Sequence, residues 1–295
     1  MSKSNVAEQT WTFPRIKLRA YWTLIKDLQT GLLVITGLAG YMSGRPDATW
    51  RGILGLLGSL FLAVGGSTVL NMVIDRDIDA QMGRTCGRPL PVGTVTAGEG
   101  LVLGLSMVLL GTLWAGAKAP LYGAVIFVGL SFDVVVYTLW LKRRSPWAIL
   151  WGGIAGGMPI LAGRALALGY IDATGLLLAL AVLLWIPTHI MTFSIKYADD
   201  YRAADVPVFP NHYGVRATRW VIALSTVGAT VVMLWAVYRI GLSPGLLWTA
   251  RGLGGLLGGF TLVSLLHPTP RLNYILYKLA SLYMLGSMIV LIAGA

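Results

Sequence analysis

The stretch Gly52-Ile-Leu-Gly-Leu-Leu-Gly-Ser-Leu-Phe-Leu-Ala-Val-Gly-Gly-Ser-Thr-Val-Leu-Asn71-Met-Val-Ile-Asp75-Arg-Asp-Ile-Asp79 is an apolar run that ends in three carboxylates. A helix needs roughly 20 mostly apolar residues to cross a bilayer, and residues 52–74 are long enough. The sequence therefore predicts an all-α membrane protein with nine transmembrane helices in one bundle, because nine such runs occur, at residues 22–43, 52–74, 99–117, 120–141, 147–169, 172–195, 220–238, 245–266 and 272–293.

The composition supports this class. Hydrophobic residues make up 56% of the 295 residues and charged residues only 12%, which is typical of a polytopic membrane protein and excludes an ordinary soluble domain. The predicted loops are short, so we expect residues 21–295 to form a single domain after a polar, cytoplasmic N-terminal segment, residues 1–20. The 37 glycines fit helices that approach each other closely in lipid.

The net charge of +11 suggests a nucleic-acid partner at first sight, but the placement of the basic residues indicates a membrane orientation instead. Most of them fall in the loops that are cytoplasmic when the amino terminus is inside, as the positive-inside rule requires. We therefore expect the lipid bilayer and no nucleic acid as a partner. The predicted location is the cell membrane, with the N-terminus and the active site on the cytoplasmic side.

Three polar side chains are spaced four residues apart where the second run ends: Asn71, Asp75 and Asp79. Residues four apart share one face of a helix, whereas Asp77 falls on the opposite face. Oxygen ligands of this kind suit Mg²⁺, which is often bound by a few carboxylates together with substrate phosphates. The motif predicts a Mg²⁺-diphosphate site.

A second acidic cluster follows the sixth run and lies on the same predicted side of the membrane: Asp199, Asp200 and Asp205. Because a diphosphate and its Mg²⁺ need ligands from more than one direction, we expect the two clusters to face each other across a central cavity open to the cytoplasm. Arginine and lysine side chains can neutralise the leaving diphosphate. Candidates near the two clusters are Arg84, Arg88, Lys142, Arg143 and Lys196.

Ionisation of an allylic diphosphate produces a carbocation, which an apolar cavity with aromatic walls protects from water. Aromatic candidates in or beside the inner halves of the runs are Tyr137, Trp140, Trp185 and Tyr197. Simpler roles stay open at this point. Tryptophans often anchor a helix at the interface, the pair Asp199-Asp200 is equally consistent with a solvated helix end, and His189 after Pro187 is equally consistent with a hydrogen bond to the freed backbone.

Two charges inside the predicted spans, Asp133 and Arg164, are costly in lipid and are expected to have polar partners. In an antiparallel hairpin they lie about 13 Å apart along the helix axes, at ~1.5 Å per residue. That separation argues against a direct pair between them, and the sequence leaves their partners open.

These residues resemble a known family. The stretch 71–79 is similar to the first aspartate-rich motif of the UbiA-type intramembrane prenyltransferases, and its continuation Arg84-Thr-Cys-Gly-Arg88-Pro-Leu-Pro91 resembles the heme-modifying branch, the heme O synthases. Three further stretches agree: Tyr137-Thr-Leu-Trp-Leu-Lys142-Arg143, Trp185-Ile-Pro187-Thr-His189 and Lys196-Tyr-Ala-Asp199-Asp200-Tyr201-Arg-Ala-Ala-Asp205-Val-Pro207. A fainter echo lies at Tyr277-Lys278-Leu-Ala-Ser281.

The resemblance implies nine transmembrane helices, an inner-face cavity, Mg²⁺ as cofactor, and transfer of a farnesyl group from an isoprenyl diphosphate to a vinyl group of heme B. The residues and the resemblance together predict a site in three groups. The catalytic residues are Asp75, Asp79, Asp200 and Lys142; the metal ligands are Asn71, Asp75, Asp79, Asp199 and Asp200; the substrate-binding residues are Asn71, Arg84, Arg88, Lys26, Arg143, Lys196, Tyr137, Tyr197, Tyr201 and His189.

Some positions depart from the family pattern. The second acidic motif is displaced to Asp199-Asp200, as in the heme branch, and Asp205 stands where glycine or asparagine is usual. Prenylation of an aromatic quinone precursor or of an archaeal lipid therefore stays open as an alternative. A transporter is disfavoured, because the acidic residues cluster at one face and transport sites lie near the bilayer midplane.

Overall fold

The computed structural model of the protein describes residues 16–44 and 49–295, and within these ranges it is built of helices without any strand. The all-α class predicted from the sequence is confirmed. Helix α1 covers residues 16–25. The other helices are α2 Asp27–Gly44, α3 Trp50–Ile74, α4 Arg76–Gln81, α5 Ala97–Lys118, α6 Pro120–Leu141, α7 Ala148–Leu168, α8 Ala173–Lys196, α9 Ala198–Ala203, α10 Phe209–Ile240, α11 Pro244–Leu266 and α12 Pro270–Ala293.

Eight helices of the described part of the chain are long and apolar enough to cross a membrane: α3, α5, α6, α7, α8, α10, α11 and α12. They correspond to eight of the nine predicted spans. The first predicted span, 22–43, is split, because α1 ends before Lys26 and α2 begins with the polar residues Asp27, Gln29 and Thr30. The count of nine spans stays a prediction, as does the division at residue 20, since residues 1–15 lie outside the described ranges.

Helix α2 nevertheless packs into the bundle, and glycines make this possible. A Cβ atom on Gly40 would lie 2.0 Å from the carbonyl oxygen of Ile160, and one on Gly163 would lie 1.9 Å from that of Gly37. The backbones of α2 and α7 are therefore in direct contact. Close approach of this kind at small residues is the usual way in which helices associate in lipid.

The second half of α6 is a π-helix, from Ser131 to Leu141. Its hydrogen bonds span five residues, as in the bond from the Lys142 amide to the Tyr137 carbonyl (2.8 Å). π-Helical turns are rare and often occur at functional sites. Here the altered register presents Asp133 and Tyr137 to the interior of the bundle.

The two ends of the bundle differ. The end where α3 and α8 terminate carries both acidic clusters and is called the site end below. At the opposite end, Arg164 of α7 donates two 2.8 Å hydrogen bonds to Asp172 and one to the Ser43 carbonyl, also 2.8 Å. Asp172 in turn caps α8 by accepting from the Gly175 amide. These contacts give Arg164 the partners that the sequence left open and tie α2, α7 and α8 together.

Candidate active site

The first acidic cluster lies at a break between two helices. Helix α3 ends at Ile74 and α4 begins at Arg76, and Asp75 between them has φ −87° and ψ 6°. The amide of Asp75 still donates to the Asn71 carbonyl (2.9 Å), and the amide of Asp79 donates to the Asp75 carbonyl (2.8 Å). The predicted end of the span at residue 74 matches the end of α3, and the four-residue hydrogen bonds continue across the break and keep the three side chains on one side.

Burial separates the aspartates in the predicted way. Asp75 and Asp79 are buried, with 7% and 5% of their surfaces exposed, whereas the side chain of Asp77 is 57% exposed. Asp77 therefore faces solvent and the other two face the interior. The expectation that Asp77 lies on the opposite face is confirmed.

Each of the three aspartates pairs with a basic residue that was predicted to belong to the site. Lys142, at the end of α6, contacts Asp75, and Arg88 donates to Asp79 at 2.7 Å. Asp75 keeps its other carboxylate oxygen, Oδ1, buried without any hydrogen bond from the described residues. A buried, unpaired carboxylate oxygen is costly, which indicates that a cationic ligand is accommodated here.

The third pair lies outside the membrane-spanning helices. Arg143 donates two 2.6 Å hydrogen bonds to Asp77, one to each carboxylate oxygen, and a third of 3.0 Å to the Ile74 carbonyl. The hydrogen bonds from Arg143 lower the pKa of Asp77 to about 2, although partial burial opposes the shift. Asp77 therefore stays ionised at any physiological pH, and the positive charge of Arg143 balances it. Arg143 also closes the end of α3 through its bond to the Ile74 carbonyl.

The amide of Asn71 is held in a polar network inside the bundle. Its Nδ2 donates to Asp133 Oδ2 (2.8 Å), its Oδ1 accepts from the Thr138 hydroxyl (2.9 Å), and Ser67 also donates to Asp133. Asp133 therefore has hydroxyl and amide partners, and not Arg164. The network fixes the orientation of Asn71 through groups that the sequence did not connect to the site.

The second acidic cluster is only partly brought to the first. The carboxylate of Asp200 accepts from the Arg84 amide at 3.3 Å, which places it against the loop that follows the first cluster. Asp199 has a side chain 95% exposed and pairs with Arg202 at 2.6 Å. Asp205 has φ +51°, a left-handed conformation that glycine and asparagine adopt most readily. Asp200 thus contacts the loop that follows the first cluster, whereas Asp199 points to solvent.

Cationic and aromatic side chains surround this junction. The guanidinium carbon of Arg84 lies 4.9 Å from the ring centroid of Phe193 and 5.4 Å from that of Tyr197. The ammonium of Lys196 lies 5.0 Å from the Tyr197 centroid. Lys26, in the turn between α1 and α2 with φ +51°, is within electrostatic range of both Arg88 and Lys142. Together with Asn71, Asp75, Asp79, Asp200, Arg88 and Lys142, these side chains form what we call the rim of the site end.

An apolar cavity of about 420 Å³ lies directly inside this rim. Its wall includes Asn71, Tyr137, Trp185 and His189, so two of the four predicted aromatic residues, Tyr137 and Trp185, border it, whereas Tyr197 does not. Trp140 does not border it either: it is 55% exposed on the outer surface of the bundle, which fits the alternative role of an interface anchor. A smaller cavity of about 40 Å³, lined by Tyr137, Lys142 and Tyr201 among others, adjoins the rim.

The imidazole of His189 is stacked between two aromatic rings. Its centroid lies 4.9 Å from that of Trp185 and 4.7 Å from that of Tyr277, with interplanar angles of 18° and 23°. Its Nδ1 lies 3.3 Å from the Ser281 hydroxyl. Both faces of the imidazole are covered, so only its edge is available to a bound molecule.

The residues of the rim fit a Mg²⁺ ion that is shared with a ligand. Within the described ranges, no group of three or more His, Cys, Asp or Glu side chains converges as a complete metal cage. The available donors are the oxygens of Asn71, Asp75, Asp79 and Asp200, which are hard ligands, and Asp75 Oδ1 has no other partner. Mg²⁺ commonly takes one or two carboxylates and completes its shell with phosphate oxygens and water.

Several side chains around the site were missed by the sequence reasoning. Ser67 and Thr138 are ordinary small polar residues in apolar runs, and nothing in their spacing distinguishes them. On α12, the ring of Tyr274 lies near two ammonium groups at the rim. That of Lys278 is 5.5 Å from the Tyr274 centroid, and that of Lys196, from α8, is 4.5 Å from it. Only the faint echo at 277–281 pointed to α12.

Comparison with known proteins agrees with this geometry. A model of the UbiA prenyltransferase family matches residues 32–284. A protoheme IX farnesyltransferase of Archaeoglobus fulgidus is 41% identical over 222 residues, which cover 75% of this chain and 78% of that protein. One of Pyrobaculum islandicum is 35% identical over 266 residues, 90% of this chain and 95% of that protein.

Solved structures share the fold at low sequence identity. A structure of digeranylgeranylglyceryl phosphate synthase covers 94% of this chain and 98% of its own, with a TM-score of 0.78 and 18% identity. A UbiA homologue from Archaeoglobus fulgidus, bound to GPP and Mg²⁺, covers 93% of this chain and 99% of its own, with a TM-score of 0.68 and 14% identity. At these identities the likeness concerns the fold alone.

Proposed function

The chain belongs to the UbiA prenyltransferase family, and from this we propose that it transfers a farnesyl group from farnesyl diphosphate to a vinyl group of heme B, giving heme O and diphosphate. The observation that carries the proposal is the junction at the site end. There, buried carboxylates and basic side chains converge at the mouth of an apolar cavity of about 420 Å³.

The part of the rim around Asp75 and Asp79 is the proposed diphosphate site. Asn71, Asp75, Asp79 and Asp200 would hold Mg²⁺, which supplies neutralisation of the charge that develops on the diphosphate. Lys142 and Arg88 now pair with Asp75 and Asp79. These two cations would be placed to contact the non-bridging phosphate oxygens. Asp199, which faces solvent, is the weakest of the predicted metal ligands.

The reaction follows from the arrangement. The bond between carbon 1 of the farnesyl group and its oxygen breaks, and the electron pair leaves with the diphosphate. The cation that remains lies in the cavity, where the aromatic wall stabilises it and excludes bulk water. The terminal vinyl carbon of heme donates its π-electrons to carbon 1. Water then adds to the neighbouring carbon and loses a proton, leaving a hydroxyethylfarnesyl side chain.

Two observations support heme as the acceptor. The relatives at 35–42% identity carry the name protoheme IX farnesyltransferase. The cavity is bordered by the stacked rings of Trp185 and His189, which provide an aromatic edge for a flat macrocycle. The distribution of basic residues supports a plasma-membrane protein with the site end in the cytoplasm, where both heme and isoprenyl diphosphates are available.

The test is product analysis in cells that make heme B but lack their own heme-farnesylating enzyme. Expression of the wild-type chain should convert heme B to heme O in these cells. The hemes are then extracted and identified by mass spectrometry. Asp75→Asn serves as the matched inactive control. Unchanged heme together with a prenylated quinone precursor or prenylated glycerophosphate would assign the chain to the alternative acceptors.

A further inference from the structure

We propose that Lys196 and Lys278 form a subsite for the two propionates of the tetrapyrrole acceptor, separate from the cations that serve the diphosphate. The proposal deepens the function given above and rests on it. It assigns a role to α12, and it divides the basic residues of the rim between the two substrates.

The basic residues near the cavity differ in their ion pairs. Arg88 and Lys142 contact the buried carboxylates of Asp79 and Asp75, whereas Arg143 contacts the exposed Asp77. Lys196 and Lys278 contact no acidic side chain anywhere in the part of the chain that the structure describes. Arg88 and Lys142 therefore belong with the metal and the diphosphate. The two lysines are available to another anion.

Lys196 and Lys278 also converge on one aromatic ring. The two lysines come from different helices, yet both ammonium groups lie against the ring of Tyr274, at 4.5 Å for Lys196 and 5.5 Å for Lys278. Both distances are measured to one centroid, so the two nitrogens lie no more than about 10 Å apart. Two like charges at this separation repel each other, and a ligand with two carboxylates on one edge removes that repulsion.

The position of Lys278 along α12 also calls for a polar partner. Lys278 lies eight residues from the start of α12 at Pro270, which at ~1.5 Å per residue is about 12 Å along the helix. A lysine at such a depth is costly in lipid unless it reaches a polar group or an anion. Its ammonium turns to the ring of Tyr274, one turn nearer the site end, where Lys196 ends α8.

An aromatic wall connects this pair to the cavity. Trp185 and His189 border the cavity, His189 stacks on Tyr277 at 4.7 Å, and Tyr277 stacks on Tyr274 at 6.4 Å. Heme carries its propionates on the edge opposite its vinyl groups. A macrocycle along this wall would place its carboxylates at Lys196 and Lys278 and its vinyl edge in the cavity, towards the diphosphate rim.

The experiment compares heme B with its dimethyl ester, in which both propionates are uncharged. The purified protein is reconstituted in nanodiscs of zwitterionic lipid, and binding is followed by the Soret absorbance. One variant carries both Lys196→Met and Lys278→Met, and the control carries Arg251→Met. In the wild type, the guanidinium of Arg251 lies 4.8 Å from the Trp248 ring on α11. Single Lys→Arg variants test whether charge alone restores binding.

We expect the wild type and Arg251→Met to bind heme B about tenfold or more tightly than the diester, since a charge-assisted contact of this kind is worth about one factor of ten. The double variant should bind both compounds equally weakly. The Lys→Arg variants should keep the preference for heme B.

Two results would overturn the assignment. A double variant that still prefers heme B would place the propionates elsewhere, and a phenotype that depends on anionic lipid in the nanodisc would identify a lipid-headgroup site. In both cases a wild type that makes heme O keeps the proposed function. A wild type that neither binds nor farnesylates heme would refute the proposed function together with this subsite.

Discussion

Substitution of Asp75 by asparagine, compared with the same substitution at Asp77, separates a ligand of the proposed metal site from its solvated neighbour. The two residues lie on the same short segment, and both changes remove one charge with almost no change in volume. Asp75 is buried beside Lys142, with one carboxylate oxygen unpartnered, whereas Asp77 is largely exposed. Differences in activity therefore reflect the position of the charge.

The magnitudes follow from the two environments. A carboxylate about 4 Å from a cation in a partly buried site, with an effective dielectric constant near 20, contributes about 4 kcal/mol. Loss of that interaction in the transition state lowers kcat by about a thousandfold for Asp75→Asn. An exposed pair such as that of Asp77 with Arg143 is worth about 0.2–1 kcal/mol, so Asp77→Asn should lower kcat by no more than about fivefold.

The assay measures release of diphosphate and formation of farnesylated heme by the purified variants, with saturating Mg²⁺. Thermal unfolding in detergent serves as the control for folding, and both variants should unfold within a few degrees of wild type. Equal activities for the two variants would refute the assignment of Asp75 to the metal site. The reasoning from burial would then be wrong as well.

Three further predictions concern packing, the opposite end of the bundle and pH. Gly163→Ala should destabilise the protein by about 1–3 kcal/mol, seen as a lower melting temperature, because its Cβ would lie 1.9 Å from the Gly37 carbonyl oxygen; an unchanged melting temperature would refute the close contact of α2 with α7. Arg164→Met should also lower the melting temperature while leaving the KM for both substrates unchanged, since its partners Asp172 and Ser43 lie away from the site; a raised KM would contradict a purely structural role. Arg143 depresses the pKa of Asp77 to about 2 from 3.8, so this pair stabilises the fold above pH 3.8 and the contribution is lost as the pH falls towards 2; the difference in melting temperature between wild type and Asp77→Asn should therefore be constant at neutral pH and disappear only in acid.

Much of the fold could be predicted from the sequence because hydrophobicity alone determines a membrane helix. Eight of the nine apolar runs became helices long enough to cross a bilayer. The four-residue spacing of Asn71, Asp75 and Asp79 also survived, although α3 ends at Ile74, since the hydrogen bonds continue through the break. Local spacing was sufficient there.

Contacts between distant helices could not be predicted in the same way. The partner of Asp133 depends on the π-helical register of α6, which shifts its side chains relative to an α-helix and has no sequence signal. The approach of Lys196 and Lys278 to the same ring, that of Tyr274, depends on how α8 packs against α12, and such packing is a property of the whole bundle.

The most direct measurement of the central claim is an acceptor competition with the purified, reconstituted protein. Farnesyl diphosphate and Mg²⁺ are supplied together with equal amounts of heme B, an aromatic quinone precursor and a glycerophosphate lipid acceptor, and all products are quantified by mass spectrometry. We expect heme O to be the only prenylated product, to form in equal amount with released diphosphate, and to disappear when Mg²⁺ is chelated. Prenylation of either other acceptor while heme B remains unchanged would contradict the account.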